Sequence, residues 1–257
     1  MIGAAAQTAW YVYGVVRVSD ARVAGVDAVE HGALAALVER VSLDEFGEDV
    51  LPERLNDRQW LEEKARAHEG VLVRAAVAAP VVPLRFGTIV RERDDVASLL
   101  ARNEESFERT LALVDGRWEL GVKGWQSEPA VEDAGGPASG GPASEGAASG
   151  RAYLEQRRAE RRRADVAAGE RATVAAAAHE RLLARAVDGV VNRPQPRELT
   201  GRDDAMILNG AYLVERDDDA LGREVDSLNL EYGSRGYSFE LTGPWPPHNF
   251  VVGDDAA

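Results

Sequence analysis

The sequence of 257 residues contains no cysteine. This excludes disulfide bonds, zinc–thiolate sites, iron–sulfur clusters and a cysteine nucleophile, and it fits a cytoplasmic protein. Histidine is scarce as well, and no two of His31, His68, His179 and His248 have the spacing of metal ligands on one helix. No apolar run reaches the roughly 18 residues that a membrane-spanning helix needs. We therefore expect no metal, no cofactor and no lipid membrane as a partner.

Basic residues are in the minority. The 30 lysines and arginines stand against 44 aspartates and glutamates, which gives a net charge of −14. Because affinity for phosphate comes from clustered basic residues, this balance argues against nucleic acid as a partner, and it favours solubility. Glycine-rich phosphate loops, nucleophile elbows and zinc-protease motifs are absent too. The composition therefore predicts a protein that is not an enzyme.

The first half of the chain predicts a mixed α and β domain over residues 1–115. Gly14, inside the first strand, marks a bulge or a close backbone approach. Residues 26–42 fit either a helix or a hairpin that turns at His31–Gly32, and we favour the hairpin. The expected elements are a strand over 10–18, the segment 26–42, a helix over 57–79, a strand over 81–90 and a helix from Asp94 to Val114.

The second half predicts another α+β domain over residues 116–257. In its flexible loop, residues 127–150, 19 of the 24 residues are glycine, alanine, serine or proline. The other expected elements are a strand over 118–125, a helix over 151–191 that breaks near Gly169, a strand over 205–215, a helix over 217–234 and a strand over 237–242. This order suits an α+β sandwich of ferredoxin-like type with one long helix. The order of elements in the first half predicts a rearranged relative of the same sandwich.

Several motifs resemble the gas vesicle protein family GvpL/GvpF. The most specific is TGPWPPHNFV, Thr242 to Val251, where the family more usually has Tyr–Ser at positions 248 and 249. The others are VPLRFGT from Val82, LNGAYLV from Leu208, YVYG from Tyr11, Trp118–Glu119 and GRAYL from Gly150. They occur in the family's order over nearly the whole chain. The length and composition of loop 127–150 depart from the family.

The resemblance implies an accessory or minor structural protein of gas vesicles, with two α+β domains related to the ferredoxin-like sandwich. It implies a non-enzymatic role in which the protein binds the small hydrophobic shell protein during gas vesicle formation, with other gas vesicle accessory proteins as further partners. The expected location is the cytoplasm, at the gas vesicle. The alternative is a small-molecule-binding or enzymatic protein, since ferredoxin-like folds host many functions.

Three sites are candidates for a protein interface. In the first, three prolines make residues 243–252 stiff and extended, so that Trp245 and Phe250 could anchor a partner; alternatively, both side chains pack into the core. In the second, Arg85 lies between Leu84 and Phe86. We favour an internal carboxylate as its partner, with an acidic partner protein as the alternative.

The third candidate is the basic stretch that contains Arg157 and Arg161. Residues 151–185 hold nine arginines and five acidic residues in an otherwise acidic protein. The stretch fits a solvated helix face with Glu–Arg pairs, or an interaction surface.

Overall fold

A computed structural model describes residues 7–127 and 147–252. The chain divides into two compact units: the first contains Met1–Leu120, Leu213–Asp218 and Gly243–Ala257, and the second Gly121–Tyr212 and Asp219–Thr242. The predicted boundary between residues 115 and 116 stays a prediction. The predicted loop 127–150 lies largely outside the described residues. Within the described ranges, none of the helices is both long and apolar enough to cross a bilayer.

The first unit is built around a sheet in which β2, β3, β1 and β4 follow one another, while β5 also pairs with β1. Its elements are β1 (Thr8–Arg17), β2 (Asp27–His31), β3 (Leu34–Ser42), α1 (Leu43–Phe46), α2 (Leu51–Arg54), α3 (Arg58–Ala78), β4 (Val82–Pro83), β5 (Ile89–Val90), α4 (Arg93–Arg102) and α5 (Glu104–Val114). Strands β2 and β3 pair antiparallel, which confirms the hairpin. Strand β1 and helix α3 confirm two further predictions.

Helices cover both faces of this sheet. Tyr11, Tyr13 and Val16 of β1 pack with α3 residues in one buried cluster, whereas Val12 and Val15 pack with α4 and α5 residues in another. In a regular strand, residues 12, 14 and 16 would lie on the same face of the sheet. The register of β1 against β3 shifts between Val12 and Gly14, and this bulge inserts the extra residue that explains the observed faces.

Gly14 is required there for a second reason. A Cβ at this position would lie 2.7 Å from the carbonyl oxygen of Val82 and 2.9 Å from a methyl group of Leu72. The sequence prediction of a bulge or a close approach is therefore confirmed, because both occur at the same residue.

Two predictions in the first half are wrong. Residues 81–90 do not form one strand, because Pro83 offers no N–H and Gly87 takes φ +82°; β4 and β5 are separated by a turn. Residues 94–114 form two helices that break at Asn103, whose ψ is 13°. The first of them begins at Arg93, one residue before the predicted start, and is capped at Glu92 with Asp95 in a capping box.

The second sheet has the strand order β7, β8, β6, β9. The elements are β6 (Arg117–Gln126), α6 (Ala147–Leu183), β7 (Asp188–Val191), α7 (Arg197–Thr200), β8 (Ala205–Glu215), α8 (Ala220–Tyr232) and β9 (Tyr237–Trp245). Apart from the short α7, this is the strand–helix–strand–strand–helix–strand order of a ferredoxin-like sandwich. The predicted fold class, α+β with two sheets and a long helix, is confirmed.

The long helix differs from its prediction at both ends. It begins at Ala147, runs through Gly169 without a break and ends at Leu183. The predicted helical residues 188–191 form strand β7 instead, because β-branched valines favour a strand. Gly169 is exposed, and one glycine in an exposed helix costs only about 1 kcal/mol.

Candidate functional site

The C-terminal segment, residues 243–252, carries the most specific motif and belongs to the first unit. Strand β9 continues into it as far as Trp245, three residues beyond the predicted end at 242. Prolines are tolerated there because β9 is an edge strand of its sheet. Trp245 is 42% exposed, whereas Trp60 and Trp125 are buried.

Phe250 does not share the exposure of Trp245. Its side chain is 4% exposed and packs inside the protein, as the packing alternative expects, so it is not presented to a partner in this structure. Neighbouring Val251 packs against the cluster under α4 and α5. Phe250 therefore anchors the segment that carries Trp245.

A buried carboxylate fixes the same segment. Glu119, which is 4% exposed, accepts hydrogen bonds from the backbone N–H of Asn249 at 2.8 Å and from its side-chain Nδ2 at 2.7 Å. Burial raises the pKa of Glu119, and the Asn249 hydrogen bonds oppose this shift. The N–H of Val252 donates to the hydroxyl of the fully buried Thr110 at 3.0 Å. The segment is thus held at its middle and at its end.

A second motif forms the turn between β4 and β5, and a buried tyrosine holds it. The Tyr11 hydroxyl accepts a hydrogen bond from the Gly87 N–H at 3.0 Å and lies 3.0 Å from His68 Nδ1. The Tyr11 hydroxyl and His68 Nδ1 are therefore hydrogen-bond partners in the interior. Burial lowers the pKa of His68 and raises that of Tyr11 to about 12, so both groups stay neutral at pH 7.

These motifs meet at a cavity of about 330 Å³, which we call the motif pocket. It is lined by Ala65, His68, Glu69, Pro83, Leu84, Arg85, Phe86 and His248. All of these residues belong to the first unit. At its rim, His248 Nε2 lies 3.1 Å from a carboxylate oxygen of Glu69. Sequence reasoning missed the pocket, because no spacing rule indicates that residues 85 and 248 line one cavity.

Arg85 lies in the turn, with its side chain exposed. Leu84 beside it is buried and Phe86 is half-buried. The internal carboxylate partner that we favoured is not observed: within residues 7–127 and 147–252, Arg85 forms no ion pair. The guanidinium therefore stands at the pocket without a carboxylate from the described part of the chain.

Arg157 and Arg161 lie on the first half of α6, where the described side chains from 153 to 158 and from 160 to 166 are all exposed. Burial begins only with Val174, Ala178 and Leu182. Arg157 is 4.0 Å from Glu160, one turn away, which is the Glu–Arg pairing of a solvated face. The two arginines do not join the motif pocket, whose lining comes from the first unit alone.

Comparisons with known proteins agree with the resemblance. The model of the family described as gas vesicle synthesis protein GvpL/GvpF matches residues 9–252. The chain is 34% identical to gas vesicle protein L of Streptomyces sp. (strain CB03234), covering 87% of this chain and 82% of that protein. It is 31% identical to gas vesicle protein F of the same strain, covering 94% and 98% respectively.

Two crystal structures share the fold. The gas vesicle protein GvpF from Anabaena sp. PCC7120 superposes with a TM-score of 0.67 at 14% identity, covering 97% of this chain and 98% of that one. GvpF from Microcystis aeruginosa gives 0.62 at 15% identity, covering 95% and 99%.

Proposed function

Because this chain belongs to the family described as gas vesicle synthesis protein GvpL/GvpF, we propose that it is a non-enzymatic assembly or minor structural protein of gas vesicles. In this role it binds the small hydrophobic shell protein while the vesicle forms. It works in the cytoplasm at the gas vesicle, with other gas vesicle accessory proteins as further partners. The exposure of Trp245 is the observation that carries the binding step.

A shell subunit needs such a partner for a physical reason. A wall that excludes water requires subunits with a large apolar surface, and exposed apolar surface aggregates. A soluble protein that covers this surface until polymerisation prevents the subunits from aggregating. The net charge of −14 keeps the complex in solution by repulsion between copies.

Trp245 suits this contact by its chemistry and its support. Aromatic side chains dominate the binding energy of protein interfaces. The prolines at 244, 246 and 247 reduce the conformational entropy that binding would otherwise cost. Glu119 and Phe250 hold the segment that carries Trp245, so we assign Phe250 to support rather than to direct contact.

Arg157 and Arg161 are a second candidate contact. They extend from an exposed half-helix of an acidic protein, and a partner with an acidic surface would complement them. In the co-purification experiment described below, the double variant Arg157→Glu/Arg161→Glu tests this contact while Trp245 is left unchanged.

The test is co-purification. The affinity-tagged chain is co-expressed with the shell protein, and the shell protein retained per tagged chain is measured at moderate salt. Trp245→Ala is compared with Leu230→Ala, a control that removes the 87% exposed leucine of α8. We expect wild type and the control to retain the shell protein, and Trp245→Ala to bind about thirty-fold more weakly, the loss of a hot-spot residue of about 2 kcal/mol. No retention by the wild type would contradict the proposed function.

A further inference from the structure

The motif pocket has no role in the function proposed so far, although two of the family motifs line it. Its lining includes the apolar residues Pro83 of β4, Leu84 and Phe86 of the turn, and Ala65 of α3. Its volume of about 330 Å³ is at the lower end of the range for ligand sites, and it is large enough to admit one large apolar side chain.

The charged groups at the pocket differ in their contacts. Glu69 lies 3.1 Å from Nε2 of His248, and burial lowers the pKa of His68. Arg85 has no carboxylate partner within the described ranges, so its guanidinium remains available to an acidic group of a partner. An arginine at the edge of an apolar cavity recognises a carboxylate by paired, charge-assisted hydrogen bonds.

The turn that carries Arg85 is already fixed in place. The Arg85 carbonyl accepts hydrogen bonds from the Thr88 hydroxyl at 2.8 Å and from the Thr88 N–H at 3.1 Å. The Gly87 N–H is bound to the buried Tyr11 hydroxyl. Because the backbone is held at both points, a partner would have to order only the Arg85 side chain, which lowers the entropic cost of binding.

We propose that the motif pocket receives one large apolar side chain of the shell subunit, and that Arg85 pairs with a carboxylate next to that side chain in the same subunit. This inference rests on the proposed function. It adds to Trp245 a second contact of defined chemistry, an apolar residue with an acidic neighbour. Trp245 supplies apolar area, and the pocket selects the register of the bound segment.

Two variants test the two halves of the proposal in the co-purification experiment. Arg85→Glu reverses the charge, and Ala65→Trp fills the cavity from an exposed position of α3. Arg22→Glu is the matched control, since it changes the net charge equally from an exposed site outside the pocket. We expect at least about tenfold weaker retention of the shell protein for both pocket variants, wild-type retention for the control, and partial recovery with Arg85→Lys. Circular dichroism and melting curves identify any variant that is not folded.

The outcomes separate this inference from the function on which it rests. If the wild type retains no shell protein, the proposed function fails. If the wild type binds and either pocket variant binds equally well, the pocket proposal is overturned while the proposed function stands. Sedimentation of the chain alone is run in parallel, because a dimer that Arg85→Glu dissociates would assign the pocket to a second copy and would also overturn the proposal.

Discussion

Replacing Tyr11 by phenylalanine tests the network that holds the Arg85 turn. Tyr11 is 3% exposed and His68 5% exposed, so the hydroxyl and its partner lie largely in the interior. Tyr11→Phe removes two hydrogen bonds, each worth about 0.5–1.5 kcal/mol, and leaves His68 Nδ1 unpaired in the interior. We expect the free energy of unfolding to fall by about 2–3 kcal/mol.

The assay is urea unfolding of wild type and variant. The slope of the free energy of unfolding against urea concentration is compared as well, because a shifted midpoint with an unchanged slope reports a change in stability alone. Tyr153→Phe is the matched control, because it removes the same hydroxyl group from a tyrosine that is 60% exposed. The control should stay within about 0.5 kcal/mol of the wild type, as surface substitutions do. A Tyr11→Phe variant that also stays within that range would refute the hydrogen-bond assignment, and with it the account of a fixed turn.

Two further predictions concern the same unit. Gly14→Ala should destabilise the protein by about 2 kcal/mol or more, because its Cβ would lie 2.7 Å from the Val82 carbonyl oxygen; an unchanged melting temperature would contradict the close approach. His68 should remain neutral when the pH falls just below 6.5, the ordinary pKa of a histidine, since burial lowers the pKa of this residue. The stability that this shift contributes is present above pH 6.5 and is lost as the pH falls through the folded-state pKa. NMR titration of the ring measures the pKa of His68, and a value at or above 6.5 would contradict the burial argument.

The sequence predicts the elements whose signal is local. Strand β8 has its predicted bounds, 205–215, because a run of buried apolar residues between charged ends leaves few alternatives. Helix α3 differs from its predicted range of 57–79 by one residue at each end, since Asp57 caps its start and Pro80 follows its end. Gly14 was recognised because an isolated glycine in an apolar strand requires a physical reason.

Tertiary effects explain what the sequence does not predict. Val96 and Leu100 of α4 and Phe107 of α5 are buried in one cluster. Their spacing is that of one continuous helix, so the sequence pattern does not reveal the break at Asn103. The motif pocket depends on Arg85 and His248, 163 positions apart, meeting in one cavity. In the sequence Glu119 is only part of a short motif, and its hydrogen bond to Asn249 depends on the folded structure.

The measurement that most directly tests the central claim is the amount of shell protein that co-purifies with the wild-type chain and with Trp245→Ala. The account predicts retention by the wild type and about thirty-fold weaker binding by the folded variant. Equal retention by both would contradict the assignment of Trp245. No retention by either would contradict binding of the shell protein itself.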